Sequence, residues 1–102
     1  MAHPQTRVEL EYITGRRVGR LATADAEGRP SVVPFCYAVI EHASEPVLVT
    51  PLDEKPKSAP VEELKRVRNI RANPDVSVVV DDYTEDWRRL RFVQLSGAAH
   101  IV

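Results

Sequence analysis

The chain has 102 residues, 43% of them hydrophobic and 28% charged, with a formal net charge of −1. That length holds one domain with a modest core, and that composition excludes a disordered chain. The near-zero charge argues against a nucleic-acid or acidic-membrane partner, and the lone cysteine, Cys36, excludes an internal disulfide and a cysteine-based metal site.

Taken from its start, the chain opens on MAHPQTRVELEY, with no apolar segment of the secretory kind. No apolar run is long enough to span a bilayer. The expectation is a soluble cytoplasmic protein in a reducing compartment, without a membrane partner. Thr6 to Gly15 predicts a short amphipathic helix: Leu10 and Ile13, and Val8 and Tyr12, stand at helical spacing between Arg7, Glu9 and Glu11. Val18 to Ala24 alternates as a strand. Asp25 to Pro30 predicts a turn, with Gly28 free to take positive φ, and joins that strand to the next as a hairpin.

The next strand is predicted over Ser31 to Ile40, SVVPFCYAVI, apolar on both faces. Val33, Phe35, Tyr37 and Val39 share one face; Val32, Cys36, Ala38 and Ile40 share the other. A strand of that kind belongs in a barrel or at an interface. Pro34 cannot donate to a ladder, which predicts an edge or a bulge there.

After a loop over Glu41 to Glu45, Val47-Leu48-Val49 reads as a buried strand ended by Thr50-Pro51. Lys55 and Lys57 follow around Pro56, and Ser58 and Pro60 suit a helix start. Two cations ahead of a helix N-terminus suit an anion, and a phosphate-bearing ligand is the natural candidate. The alternative is a pair of solvated loop lysines beside Asp53 and Glu54.

Val61 to Ala72 predicts a helix with Val61, Leu64, Val67 and Ile70 inward and Lys65, Arg66, Arg68 and Arg71 outward. Asn73-Pro74 stops it. Val76 to Val80 is a β-branched strand. Asp81 to Arg89 is a polar loop carrying Trp87, and Leu90 to Val102 is a long last strand, bent at Gly97. Five strands and two helices, mostly joined by short loops, predict a mainly β protein built as an antiparallel barrel. The chain stops at Val102 in or beside a strand, which predicts a longer natural sequence or a partner chain covering that edge. His3, His42 and His100 have no metal-ligand spacing, no serine sits in a nucleophile elbow, and no phosphate-cradling glycine motif is present, so no metal site and no catalytic residue is assigned.

Four stretches together carry a resemblance: GRLATADAEGRPSVVPFCYAV (Gly19 to Val39), VTPLDEKPK (Val49 to Lys57), RNIRANPDVSVVVDDY (Arg68 to Tyr83) and DWRRLRFVQLSGAAHI (Asp86 to Ile101). In that order and spacing the chain resembles the pyridoxamine 5'-phosphate oxidase-like, FMN-binding split-barrel superfamily over nearly its whole length. The resemblance is closest to the branch that uses the deazaflavin coenzyme F420. It implies a Greek-key split β-barrel with one or two short helices, a single domain over residues 1–102 without the family's C-terminal closing segment, and a homodimer with the cofactor at the subunit interface. By the resemblance, Val33, Pro34, Phe35 and Cys36 run along the ring, while Val49, Thr50, Lys55, Lys57 and Ser58 lie at the phosphate end. The FMN oxidases carry an arginine and a lysine where this chain has Val33 and Ala38, and a glutamine where it has Phe92. These departures favour F420, with FMN as the alternative cofactor. The implied function is hydride transfer between reduced deazaflavin and a small organic acceptor. The rivals are an FMN flavoprotein oxidoreductase of the same fold and a non-catalytic flavin-binding or carrier protein.

Overall fold

The computed structural model describes residues 7–51 and 64–102. Helix α1 (Arg7–Thr14) leads into strands β1 (Val18–Ala24) and β2 (Pro30–Cys36), then β3 (Ala38–His42) and β4 (Glu45–Val49); helix α2 (Lys65–Ala72) precedes β5 (Asp75–Asp82) and β6 (Arg91–Ala98). A four-stranded antiparallel sheet has the order β2-β1-β5-β6, and β3 pairs with β4 in a separate hairpin. The long return that sets β5 beside β1 is the Greek-key step of a split barrel.

The strands follow their alternation. Leu21 and Thr23 of β1, Val76, Val78 and Val80 of β5, and Leu95 of β6 are buried, with Ile13, Tyr37, Leu48 and Ala99 completing the core. Val39 packs against this core from β3, opposite Leu48 in the β3–β4 register. Gly19 is required by crowding: a Cβ there would meet Phe35 and the carbonyl oxygen of Val79, each at 3.1 Å. In the β1–β2 turn Gly28 has φ 85°. Asp25 organises that turn, its Oδ1 accepting from the N–H groups of Glu27 (3.0 Å) and Arg29 (2.9 Å).

Two expectations are corrected here. The single strand over Ser31 to Ile40 is two strands in different sheets, and the chain breaks at Tyr37, not at Pro34. The reason lies in Tyr37: its ring is buried, its centroid 5.7 Å from that of Phe35, and its hydroxyl donates to the carbonyl of Ile13 at 2.5 Å. Of the edge or bulge expected at Pro34 the structure has the edge: Pro34 stays in register opposite Arg20 on an edge strand. The last strand ends at Ala98, with Gly97 paired to Val76 without interrupting the ladder. Its partner strand begins at Asp75, so the ladder runs out there, closed by Ala99 N–H donating to Pro74 at 2.9 Å.

Helix α2 also starts later than expected. Leu64 is extended at its N-cap, so α2 does not run on continuously from Ser58 or Val61. Inward it buries Val67 as expected, and also Asn69, which hydrophobic spacing had not marked.

The β3–β4 hairpin closes through Ala43 and Ser44 with φ of 53° and 67°, between the paired His42 and Glu45. Two positive φ angles are the signature of a type I′ turn, which prefers Asn-Gly. Neither alanine nor serine is at ease there. Ala43→Asn with Ser44→Gly is expected to stabilise the protein by about 1 kcal/mol, read as a higher urea midpoint at unchanged m-value.

Helix α1 is seated on the core by Ile13, and an ion pair just past its end adds to that. Arg16 lies 4.2 Å over the Tyr12 ring and pairs with Asp82. The Arg16 guanidinium holds the Asp82 carboxyl below its usual 3.8, burial opposing, and Arg29 and Arg88 do the same for Asp25 and Asp86. A lowered folded pKa means stability that is present above the unfolded value and lost as pH falls through the folded one. Stability is therefore expected to fall on acidification below about pH 4, and Asp82→Asn to flatten that fall while lowering stability at neutral pH. Urea unfolding from pH 7 to pH 2.5 measures both.

Candidate functional site

The candidate site is the open edge and outer face of β2. In the β1–β2 register the N–H of Tyr37 donates to Arg17 and that of Asp25 to Arg29, each at 3.0 Å. Antiparallel ladders alternate bonded and non-bonded pairs. Ser31, Val33 and Phe35 therefore occupy bonded positions, and Val32, Pro34 and Cys36 non-bonded ones. The missing N–H of Pro34 thus costs the ladder nothing. The N–H and C=O of Val32 and Cys36, with the C=O of Pro34, point to the side of β2 that has no strand neighbour among the described residues.

The side chains divide the same way. Val32, Pro34 and Cys36 are exposed, Val32 to 64%, whereas Val33 and Phe35 turn inward and pack against the core. The four strand residues of the expected site are therefore not equivalent: Pro34 and Cys36 stand on the open face, and Val33 and Phe35 support it from within.

Register brings the next piece alongside. Ala38 pairs with Val49 across the hairpin. Cys36 lies two residues before Ala38, and Thr50 one after Val49, so both sit at the Tyr37 break. Thr50 is half-buried, its hydroxyl 3.5 Å from the carbonyl of Pro51. Lys55, Lys57 and Ser58 lie outside the described residues.

Further neighbours complete the surface; of these sequence reasoning had marked Phe92 but not Arg20, Val79, Asp81, Tyr83 or Leu90. Arg20 is paired in register with both Pro34 and Val79, and its guanidinium bonds Asp81. Arg20, Val79, Asp81, Tyr83, Leu90 and Phe92 line a shallow open recess. Alternation put Arg20 opposite to Leu21, but its pairing with Asp81 spans 61 positions and has no local signal. Phe92, Tyr83 and Trp87 are all exposed, Trp87 to 80%.

The strip fits a flat heteroaromatic ring. It offers backbone donors and acceptors two residues apart, about 6.8 Å along the strand, above a row of small apolar side chains. A ring edge carrying N–H and carbonyl groups is complementary to it. Among the described residues no group of three His, Cys, Asp or Glu is placed to hold a metal ion. No helix among them is long and apolar enough to cross a membrane.

The chain is 31% identical over 97 residues to 5a,11a-dehydrotetracycline/5a,11a-dehydrooxytetracycline reductase of Streptomyces rimosus, covering 94% of this chain and 63% of that protein. In structure it is similar to a conserved hypothetical protein from Mycobacterium tuberculosis, with a TM-score of 0.66 and 26% identity, covering 95% of this chain and 53% of that one. It also shares its fold with HutZ, the heme storage protein from Vibrio cholerae, at a TM-score of 0.58 and 19% identity, covering 94% and 62%. The chain thus spans between half and two thirds of the length of these relatives. The pyridoxamine 5'-phosphate oxidase family model matches residues 6–102, and with an antiparallel split-barrel topology carrying the same stretches the chain belongs to that family.

Proposed function

We propose that the protein is an oxidoreductase that binds the deazaflavin F420, with FMN as the alternative, and transfers a hydride between it and a small organic acceptor. The observation that carries this reading is the edge of β2: backbone hydrogen-bonding groups on an open strand, over Pro34 and Cys36, beside Val49 and Thr50. The similarity to a dehydrotetracycline reductase supports the reaction class. The bound cofactor supplies two electrons and a proton as hydride, and the acceptor takes a second proton from solvent.

The chain's own part is to bind and orient. The strip at Val32 to Cys36 holds the ring edge, and the apolar row keeps water from one ring face. Thr50 and, beyond it in sequence, Lys55, Lys57 and Ser58 take the phosphate. Val33 and Ala38 place no cation on the strand, which favours F420 over FMN. The reading is tested by fluorescence titration of the purified protein with each cofactor, then by following oxidation of the reduced cofactor with 5a,11a-dehydrotetracycline as the first acceptor. F420 is expected to bind more tightly. FMN binding tighter by an order of magnitude would reverse the cofactor assignment, and tight binding without turnover of any acceptor would make the protein a carrier.

The exposed apolar side chains support a homodimer. Val32, Ile40, Val49, Tyr83, Trp87 and Phe92 are large apolar residues left exposed. Soluble monomers seldom tolerate so much exposed apolar surface, and two-fold dimers are the commonest remedy. Trp87 is then an interface anchor. Sedimentation at micromolar concentration is expected to give a dimer; a monomer with cofactor bound refutes it.

A further inference from the structure

Asp81 and Asp82 are neighbours on β5, and alternation turns them to opposite faces of the sheet, each toward an arginine. Asp82 is gripped at both oxygens: Arg16 Nε donates to its Oδ1 and Nη2 to its Oδ2. Asp81 takes a single N–H, from Arg20 Nη1 to its Oδ1. A guanidinium carries its donors in a rigid fork suited to two parallel bonds, so one bond leaves most of the fork unused. The Asp81 side chain is 19% exposed, against 53% for Arg20. Its Oδ2 accepts no bond among the described residues, yet it is not sealed from solvent. The pair therefore presents, side by side, N–H groups ready to donate and a carboxylate oxygen ready to accept.

The walls around this pair are apolar and aromatic. Val79, Leu90, Tyr83 and Phe92 complete a recess of about 570 Å³, within the roughly 300–1,000 Å³ of small-molecule sites. Its place is fixed by register. Arg20 stands opposite Pro34 at a non-bonded pair, where cross-strand Cα atoms are about 4.5 Å apart. Both side chains are exposed on the same face. One cross-strand pair thus joins the recess to the strip at Pro34 and Cys36.

We propose that this recess binds the organic acceptor, and that Arg20 and Asp81 select planar, conjugated molecules that present a carbonyl beside an N–H or O–H. This rests on the oxidoreductase reading above. Arg20 donates to the carbonyl, which draws electron density from a conjugated double bond and so suits a hydride acceptor. Asp81 accepts the neighbouring hydrogen and fixes which edge of the molecule enters. Tyr83 and Phe92 offer their rings for stacking.

The test uses 2-quinolone, a flat bicycle with an N–H beside a carbonyl, and N-methyl-2-quinolone, in which the donor is blocked. Each is titrated by calorimetry into cofactor-free protein. One protein concentration is used throughout, because Tyr83 and Phe92 are also among the residues a partner subunit would cover. 2-Quinolone is expected to bind about tenfold more tightly than its N-methyl form. Arg20→Met is expected to weaken both compounds about tenfold, since both keep the carbonyl. Asp81→Ala is expected to erase the difference between them. F420 affinity is expected to stay within about twofold of wild type in both variants. Equal binding of the two quinolones to the wild type, or no loss in a folded Arg20→Met, overturns the proposal and leaves the cofactor reading intact. An equal loss of F420 and 2-quinolone in Arg20→Met assigns the pair to the cofactor ring and also overturns it. A wild-type protein that discriminates the quinolones but binds neither F420 nor FMN overturns the cofactor reading, and the acceptor assignment with it. If Arg20→Met does not fold, Arg20→Lys, which keeps the charge and loses the fork, is held to the same outcomes.

Discussion

Truncation of Tyr37 to alanine is expected to cost the fold about 3–5 kcal/mol, the range for deleting a large buried aromatic side chain. Small domains have only about 5–15 kcal/mol in total, so the variant will be close to unfolding at 37 °C. The size follows from position. Tyr37 is 7% exposed, packs beside Phe35, and is the residue at which the chain leaves β2 for β3. Its backbone N–H ends the β1–β2 ladder on Arg17, while its hydroxyl reaches the carbonyl of Ile13 in α1. Tyr37→Phe keeps the ring and loses the hydroxyl. Because Ile13 also accepts from the N–H of Arg16, its carbonyl keeps a partner, and the cost is expected to be about 1 kcal/mol.

The two variants also separate by pH. Burial pushes the Tyr37 phenol above its usual 10.0. A raised folded pKa gives stability that is complete below the unfolded value and lost as pH rises through the folded one. Above about pH 10 the wild type is expected to lose stability that Tyr37→Phe retains. Urea unfolding from pH 8 to pH 11 decides it: parallel curves for wild type and Tyr37→Phe would show that the phenol plays no part.

The same residue shows where sequence reasoning stops. Val33, Phe35, Tyr37 and Val39 keep one inward phase without a break, so periodicity reads one strand from Ser31 to Ile40. The change of sheet at Tyr37 depends on what lies under its ring, which is a non-local fact. By contrast, the turn at Asp25 to Arg29 was legible because its chemistry is local: an aspartate that accepts from N–H groups two and four residues on, and a glycine at positive φ. The strands around Leu21, Val78 and Leu95 were legible because their period of two is unbroken. Asn69 was hidden within a charged run, and only the helix's seating on β1 shows that it is buried. Of the candidate site, the stretch at Pro34 to Cys36 and the end of the strand at Val49 were both visible in sequence. Their meeting is set by the pairing of Ala38 with Val49, and no local signal gives that register.

Replacing both Lys55 and Lys57 by alanine is expected to weaken cofactor binding by about 2–4 kcal/mol, since a charge-assisted hydrogen bond contributes roughly 1.5–3 kcal/mol and two of them on one phosphate are not fully additive. In dissociation constants that is a rise of about 30- to 1,000-fold. Both F420 and FMN carry a phosphate at the corresponding place, so both are expected to suffer. The loss is expected to be largest at low salt, because ions screen the lysine charge. Arg66 and Arg68 of α2 give the discriminating control. F420 has an extended anionic tail that FMN lacks, so replacing these two arginines by alanine is expected to weaken F420 binding and leave FMN binding unchanged. An equal loss for both cofactors would place the arginines at the phosphate instead. For the lysines, titration at low salt with an unchanged dissociation constant would show that they are solvated loop charges, and the phosphate site would then have to be sought elsewhere on the β2 edge.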